Sequence, residues 1–378
     1  MGLSNDFIHG NIFEIFNTNN IFYAKIESWS KLSTYEQSDS LKNFIAAHPT
    51  YFPAYLKLEE RSLVSNRINE LMKHFKKVDT ENPQYGNAQW MLARHYNFLR
   101  DYKKAKYSYE QALLFAQPCY ELIFDYLSFL WRTDLLSLKL INQSIQGMQN
   151  VNTVIVKSYA HLLSSEYELA SNIFKSCYPF KDLSVWRQYY ISVYKSGDIS
   201  RALEISEEAN KIAQKYGDQY YQNLFLLSSL KCRSWLFGSH AILQELEVLE
   251  NNLESFDDFR LLNNLLKFKA DLANSDFNNK IALSFYEQAA VGYKVLHDLN
   301  QAAQSYYNLA EQLYLIDNNT RAIQTIAESL SLIDHDDNFE ILAHIWHLYG
   351  KIYLNSSMYD MSEKYLQKAA DYASKTGN

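Results

Sequence analysis

His344 and His347 stand three residues apart, a spacing that puts two imidazoles on one face of a helix. Two ligands fall short of a metal site, so surface or groove histidines are the expectation. The segment DHDDN (334–338) alternates acids as calcium loops do, but Phe339 stands where such a loop needs Gly and Ile345 where it needs the terminal Glu. Capping and solvation suffice to explain its acids. Cys119, Cys177 and Cys232 lie far apart with no CxxC, which argues against a disulfide framework or a zinc site and for buried thiols in a reducing cytosol. No GxGxxG, GxxxxGK[ST], HExxH or GxSxG occurs, and only 10 glycines are present to build a phosphate loop. No catalytic constellation, cofactor or metal is therefore expected. The chain does not read as an enzyme.

The totals narrow the class further. A net charge of −7 lacks the basic excess of a nucleic-acid binder, so a nucleic acid is not the expected partner. With 47% hydrophobic residues, 10 Gly and 5 Pro in 378 positions, the chain can fill a continuous core but lacks the turn residues of a β-rich protein. Its 30 tyrosines suit a thin fold in which many rings are half-buried with wet hydroxyls. The N-terminal MGLSNDFIHGNIFEIF has no basic stretch ahead of an apolar run, and Asp6 stands where myristoylation wants Ser or Thr. No apolar run approaches the ~18 residues of a membrane span. A soluble cytoplasmic protein is expected, or a nuclear one if the source is eukaryotic.

Self-similarity organises what remains. In QWMLARHYNFLRDYKKAKYSYEQALLFAQP, residues Leu92, Ala93, Tyr96, Tyr102, Ala105, Tyr109, Ala112 and Pro118 run large-small-aromatic and then small-aromatic-small over two helical stretches. Trp346, Tyr349, Gly350, Tyr353, Tyr359, Ser362, Leu366 and Ala369 do the same near the C-terminus. Small residues let two helices approach closely, and the large ones between them become knobs in the next pair. Pro49 and Pro83 are 34 residues apart and Pro118 follows 35 later, each suited to a helix end. Farther along, Ala202, Ala282, Ala322 and Ser362 keep a 40-residue step, with Ile242 in the remaining place. Polar turns such as KSGD (195–198), ANSDFNN (273–279), IDNN (316–319) and LNSS (354–357) supply capping residues between paired helices.

This pattern resembles the tetratricopeptide repeat, and Gly350 takes the repeat's usual Gly position. The resemblance spans roughly nine-tenths of the chain and implies an all-α, right-handed superhelical solenoid of about nine to ten helix pairs. The 40-residue units are similar in period and helix style to those of spindle-orientation adaptors and of quorum-peptide receptors of Gram-positive bacteria. Residues 1–17 are expected as a cap or frayed segment, 18–182 as repeats of about 34 residues and 183–378 as repeats of about 40, with unit boundaries at 183, 223, 263, 303 and 343. No Gly/Ser-rich or charge-block linker divides the chain, so one continuous superhelix is expected.

In that family the first helix of each pair, helix A, lines a concave groove. Carried onto this chain, the inward positions give Asn87, Trp90, Arg94 and Asn97 in one unit, and Asn264, Lys267, Asp271 and Asn274 in another. The next two give Gln304, Tyr307, Glu311 and Tyr314, then His344, His347 and Lys351 with Leu354 ending the row. Asn carries both a donor and an acceptor and can grip a peptide backbone whatever its sequence. Lys267, Asp271, Glu311 and Lys351 would add charge selectivity. Chaperone-binding members hold a C-terminal carboxylate with a Lys, Asn, Asn, Lys, Arg set. Trp90 and Arg94 replace its first members here, so that mode is not expected. The basic runs KHFKK (73–77) and DYKKAK (101–106) fall on the outward second helices, helix B, of adjacent units. They can form one patch for an anionic partner or an RNA. The implied function is a protein- or peptide-binding scaffold or adaptor. The alternative is a peptide-sensing regulator; residues 1–50 show no helix-turn-helix, against a DNA-binding version.

Overall fold

The computed structural model describes residues 34–116, 119–133, 152–255, 257–333 and 339–375. Residues 1–17, Pro118, the DHDDN loop and LLSLKLINQSIQGM (135–148), expected as helix B of the fourth unit, lie outside the described residues. Among the described residues the secondary structure is helical and contains no strand, as the repeat pattern requires. Contacts divide the chain into two compact units, Met1–Asp258 and Phe259–Asn378.

Unit 1 holds α1 (Thr34–Ala47), α2 (Phe52–Val64), α3 (Ile68–Phe75), α4 (Tyr85–Phe98), α5 (Tyr102–Phe115), α6 (Tyr120–Arg132), α7 (Thr153–Leu163), α8 (Tyr167–Ser176), α9 (Leu183–Lys195), α10 (Ile199–Tyr216), α11 (Gln219–Phe237) and α12 (Leu243–Ser255). Unit 2 holds α13 (Phe259–Ser275), α14 (Asn279–Val295), α15 (Leu299–Leu315), α16 (Asn319–Leu332), α17 (Phe339–Asn355) and α18 (Tyr359–Lys375). Within each unit, α4 and α5, α10 and α11, α13 and α14, α15 and α16, and α17 and α18 are joined by short turns and pack as hairpins.

The 40-residue period is a property of the backbone as well as of the side chains. Helix A starts at Gln219, Phe259, Leu299 and Phe339, and helix B at Ile199, Asn279, Asn319 and Tyr359. Each A helix begins four residues ahead of its expected boundary, 219 against 223 and 299 against 303. The cause is local. Asp218 and Asp298 cap these helices by accepting from the Tyr221 and Gln301 N–H groups, and so set the start.

The turns repeat too. Asn66 and Arg100 take left-handed φ, as do Phe277, Asp317 and Ser357 (φ 56°, 60° and 59°) in unit 2. In the last three, the next residue's N–H returns to a carbonyl five residues back: Asn278 to Ala273, Asn318 to Leu313 and Met358 to Tyr353. That geometry satisfies carbonyls left open at a helix end. Asn278 and Asn318 then cap the following helix through the Ile281 and Arg321 N–H groups. One residue position thus closes one helix and opens the next.

Packing explains the small residues. Ala202, Ala282 and Ala322 are fully buried, and Ile242 and Ser362 nearly so. The amides of Ala202, Ala282 and Ala322 each donate to the carbonyl of the Asp or Asn that caps their helix. Ser362 also donates its hydroxyl to the Gly350 carbonyl at 2.9 Å, a direct tie between α18 and α17. Ala322→Leu should therefore force α16 away from α15. A loss of about 1–3 kcal/mol, read by chemical denaturation, is expected for such overpacking.

Candidate partner-binding faces

The A helices of unit 2 carry a row of polar side chains tied from helix to helix. On α13, Asn264 accepts from the Tyr293 hydroxyl at 2.6 Å and Lys267 donates to the Gln301 side chain at 3.2 Å. Asp271 accepts from the Tyr286 hydroxyl at 2.6 Å, and Asn274 accepts from the Gln312 amide at 2.9 Å. On α15, Gln304 donates to Asn308 at 3.0 Å and Tyr307 to Glu311 at 3.3 Å. Burial beside Glu311 raises the Tyr307 hydroxyl pKa, so the phenol stays a donor at neutral pH.

On α17, the His344 ring lies 5.8 Å from that of Tyr307, and the Lys351 ammonium sits 5.4 Å from the Tyr314 ring centre. His344 and His347 are exposed and Lys351 half-buried. Partial burial, then the neighbouring Lys351, lower the His347 pKa, so it is neutral at neutral pH. The row ends differently from expectation. Leu354 is 48% exposed and apolar, whereas Asn355 reaches back to the Tyr314 hydroxyl at 2.8 Å. Among the described residues no cluster of three metal-ligating side chains occurs, around these histidines or elsewhere.

In unit 1 the candidates on α4 divide. Asn87 is buried and donates to the Pro49 carbonyl at 3.2 Å. Trp90 is buried against Phe52, ring to ring, and donates its indole N–H to Asp125 at 2.8 Å. Asn87 ties α4 to the turn ahead of α2 and Trp90 ties α4 to α2 and α6, with too little surface on either for a ligand to grip. Arg94 sits between two carboxylates, 3.1 Å from Glu59 and 3.3 Å from Asp125. Asn97 is half-buried one turn farther on. The two basic runs do converge, since the Lys76 and Lys104 ammonium groups lie 5.4 and 5.6 Å from the centre of one ring, Tyr96.

Spacing alone missed a group of residues on unit 1. The Tyr221 hydroxyl donates to Glu121 at 3.1 Å, joining α11 to α6 across 100 residues, and Asp182 and Asp218 lie near the same carboxylate. Cys119, Glu121, Asp182 and Tyr221 are each half-buried. Arg61 and Lys57 of α2 bind Asp257, through its carboxylate and its carbonyl, and tie the two sequence ends of the unit. Burial and the nearby Glu121 push the Cys119 thiol well above its usual range, so it is no ready nucleophile. The available signal was Glu121 and Asp125 one turn apart on a helix, YELIFDYLSFLWR, that is otherwise mostly apolar.

Burial, followed by the charge of Asp182, pushes the Glu121 carboxyl up to about 8. The folded chain therefore keeps this proton while the unfolded chain loses it near the usual carboxylate value. Stability from this group is full below that value and falls as the pH rises to about 8. Glu121→Gln should raise the melting temperature by a few degrees at pH 8 and leave it nearly unchanged at pH 4, by scanning calorimetry.

Equivalent capped helices recurring at a fixed period, each pair closed on a small buried residue, decide the architecture. The fold is that of the tetratricopeptide-repeat solenoids. Cut9–Hcn1, a hetero-tetramer of the APC/C, superposes with a TM-score of 0.51 at 13% identity over 92% of this chain and 66% of the other. A Rap protein complexed with Competence and Sporulation Factor gives 0.46 at 11% identity over 79% of this chain and 99% of the other. A STAND protein with a tetratricopeptide repeat sensor from Pyrococcus horikoshii gives 0.46 at 13% identity over 85% of this chain and 52% of the other. The chain thus spans just under two-thirds of the first of these and about half of the last. No family model and no curated protein sequence matches it. No described helix is long and apolar enough to cross a membrane.

Proposed function

We propose that the chain is a non-catalytic scaffold that holds an extended segment of a partner protein against α13, α15 and α17. The supporting observation is the polar row on those three helices. Its α13 groups are held by bonds to neighbouring helices and those of α15 by bonds along the helix, yet Asn264, Asn274, His344, His347 and Lys351 keep donors or acceptors to offer. Fixed groups lose little entropy on binding, which favours recognition of a flexible segment. Groups able to pair with any backbone suit a partner held by its main chain, with selectivity left to a few charges.

The chain's outer charges are used otherwise. Lys294 pairs with Glu328 and Arg321 with Glu287 between α14 and α16, both at exposed positions. Such pairs contribute little to stability and mark a solvated face.

Affinity capture from the native source, followed by mass spectrometry, is the test. A recurrent protein partner is expected with the wild-type chain, and a several-fold loss of it after Asn264→Ala with Lys267→Ala at unchanged helicity. A co-purifying short peptide in place of a protein would favour a peptide-sensing regulator. Unaltered capture by the double variant would remove this face from the interaction.

A further inference from the structure

Charge on the inner face of unit 2 is segregated. Asp271 and Glu311, on neighbouring A helices, accept their hydrogen bonds from tyrosine hydroxyls, those of Tyr286 and Tyr307. The Tyr286 hydroxyl feels both carboxylates, so both lie near it. Neither takes part in an ion pair among the described residues, whereas Glu287 and Glu328 on the outer face of the same unit each have a cation. Lys267, one turn before Asp271, is turned to Gln301 instead. On α17 the signs reverse. His344, His347 and Lys351 stand in sequence on its groove side, and the Lys351 ammonium rests on the Tyr314 ring without a carboxylate partner among the described residues.

An uncompensated carboxylate pair beside an uncompensated cation is a template for a ligand of opposite polarity. We infer that this face takes an extended peptide bearing Lys or Arg over α13 and α15, and Asp or Glu over α17. The inference rests on the peptide-binding reading above and adds the charge order. Its spacing follows from packing. Neighbouring helices lie ~8–10 Å apart, and an extended chain of polyproline-II type advances ~3.1 Å per residue with about three residues per turn, so two charged side chains on one side stand about three residues apart. The tyrosine hydroxyls hold both carboxylates in place, and that preorganisation reduces the entropy lost on binding.

Fluorescence anisotropy on the full chain tests this with three labelled nonapeptides in an Ala/Asn background. One carries Lys and Glu three residues apart, one Gln at both places, and one Lys at both. The Lys–Glu peptide is expected to bind about fivefold or more tighter than the Gln–Gln peptide. Asp271→Asn with Glu311→Gln, changes that keep the tyrosine bonds, should abolish the gain from Lys and leave the gain from Glu. Lys351→Gln should do the reverse, and the Gln–Gln peptide reports that each variant still binds. Equal affinity of the Lys–Glu and Gln–Gln peptides for the wild-type chain, or a tighter Lys–Lys peptide, would overturn the charge order while leaving peptide binding intact. Failure of all three to bind removes the peptide reading itself, and this inference with it.

Discussion

Arg94→Ala is expected to destabilise unit 1 by about 2–4 kcal/mol, because it leaves two acids without their cation. Glu59 is nearly buried, with 6% of its side chain exposed, and the guanidinium that it meets is itself only 24% exposed. Desolvation alone would lower the Arg94 pKa, but the carboxylates of Glu59 and Asp125 outweigh it and hold the group firmly charged. Asp125 retains bonds from the Trp90 indole at 2.8 Å and the Tyr109 hydroxyl at 3.0 Å. Arg94→Met combined with Glu59→Gln should recover about half or more of the loss, since position 59 then carries no charge and Asp125 keeps two hydrogen bonds. Chemical denaturation followed by tryptophan fluorescence reads both variants, with Trp90 itself in the network. A loss under ~1 kcal/mol in the single variant would show that water already screens this cluster.

Gly86→Ala should cost about 3 kcal/mol and Gly350→Ala within ~1 kcal/mol of nothing, although both glycines sit in helices. A methyl group on Gly86 would lie 2.2 Å from the Ala116 nitrogen and 2.4 Å from its Cα, backbone that cannot turn aside. On Gly350 it would meet the Leu366 side chain at 2.6 Å, which has other rotamers to adopt. Alanine gains ~1 kcal/mol over glycine in a helix interior, so a net loss at position 86 isolates the steric contribution. Calorimetry of the two variants in parallel provides the comparison. Equal behaviour would mean that α4 and the end of α5 are less closely apposed than described.

The repeat period was legible because close helix pairing favours small side chains at the crossing point, and Ala202, Ala282, Ala322 and Ser362 record that demand while Ile242 departs from it. The boundaries were less legible. Apolar spacing marks where a helix packs, whereas Asp218 and Asp298 determine where it starts. The groove candidates were legible only in part. Helical spacing places Trp90 and Arg94 on one stripe, yet the indole is buried against Phe52 of α2 while the Arg94 side chain keeps an edge in water. Acids on the mostly apolar α6 hinted at Glu121, but nothing local pointed to its partner Tyr221, 100 residues away. Asn264, Lys267, Asp271, Glu311, His347 and Lys351, chosen through the family resemblance, lie on three successive A helices of unit 2.

Site-specific photocrosslinking tests the central claim, that the partner is held against the A helices. With p-benzoylphenylalanine replacing His344 on α17, irradiation in the native source should yield one recurrent protein adduct. The same probe replacing Glu328, on the outer face of α16, should yield none. Matching adducts from both positions, or an adduct from position 328 alone, would contradict it.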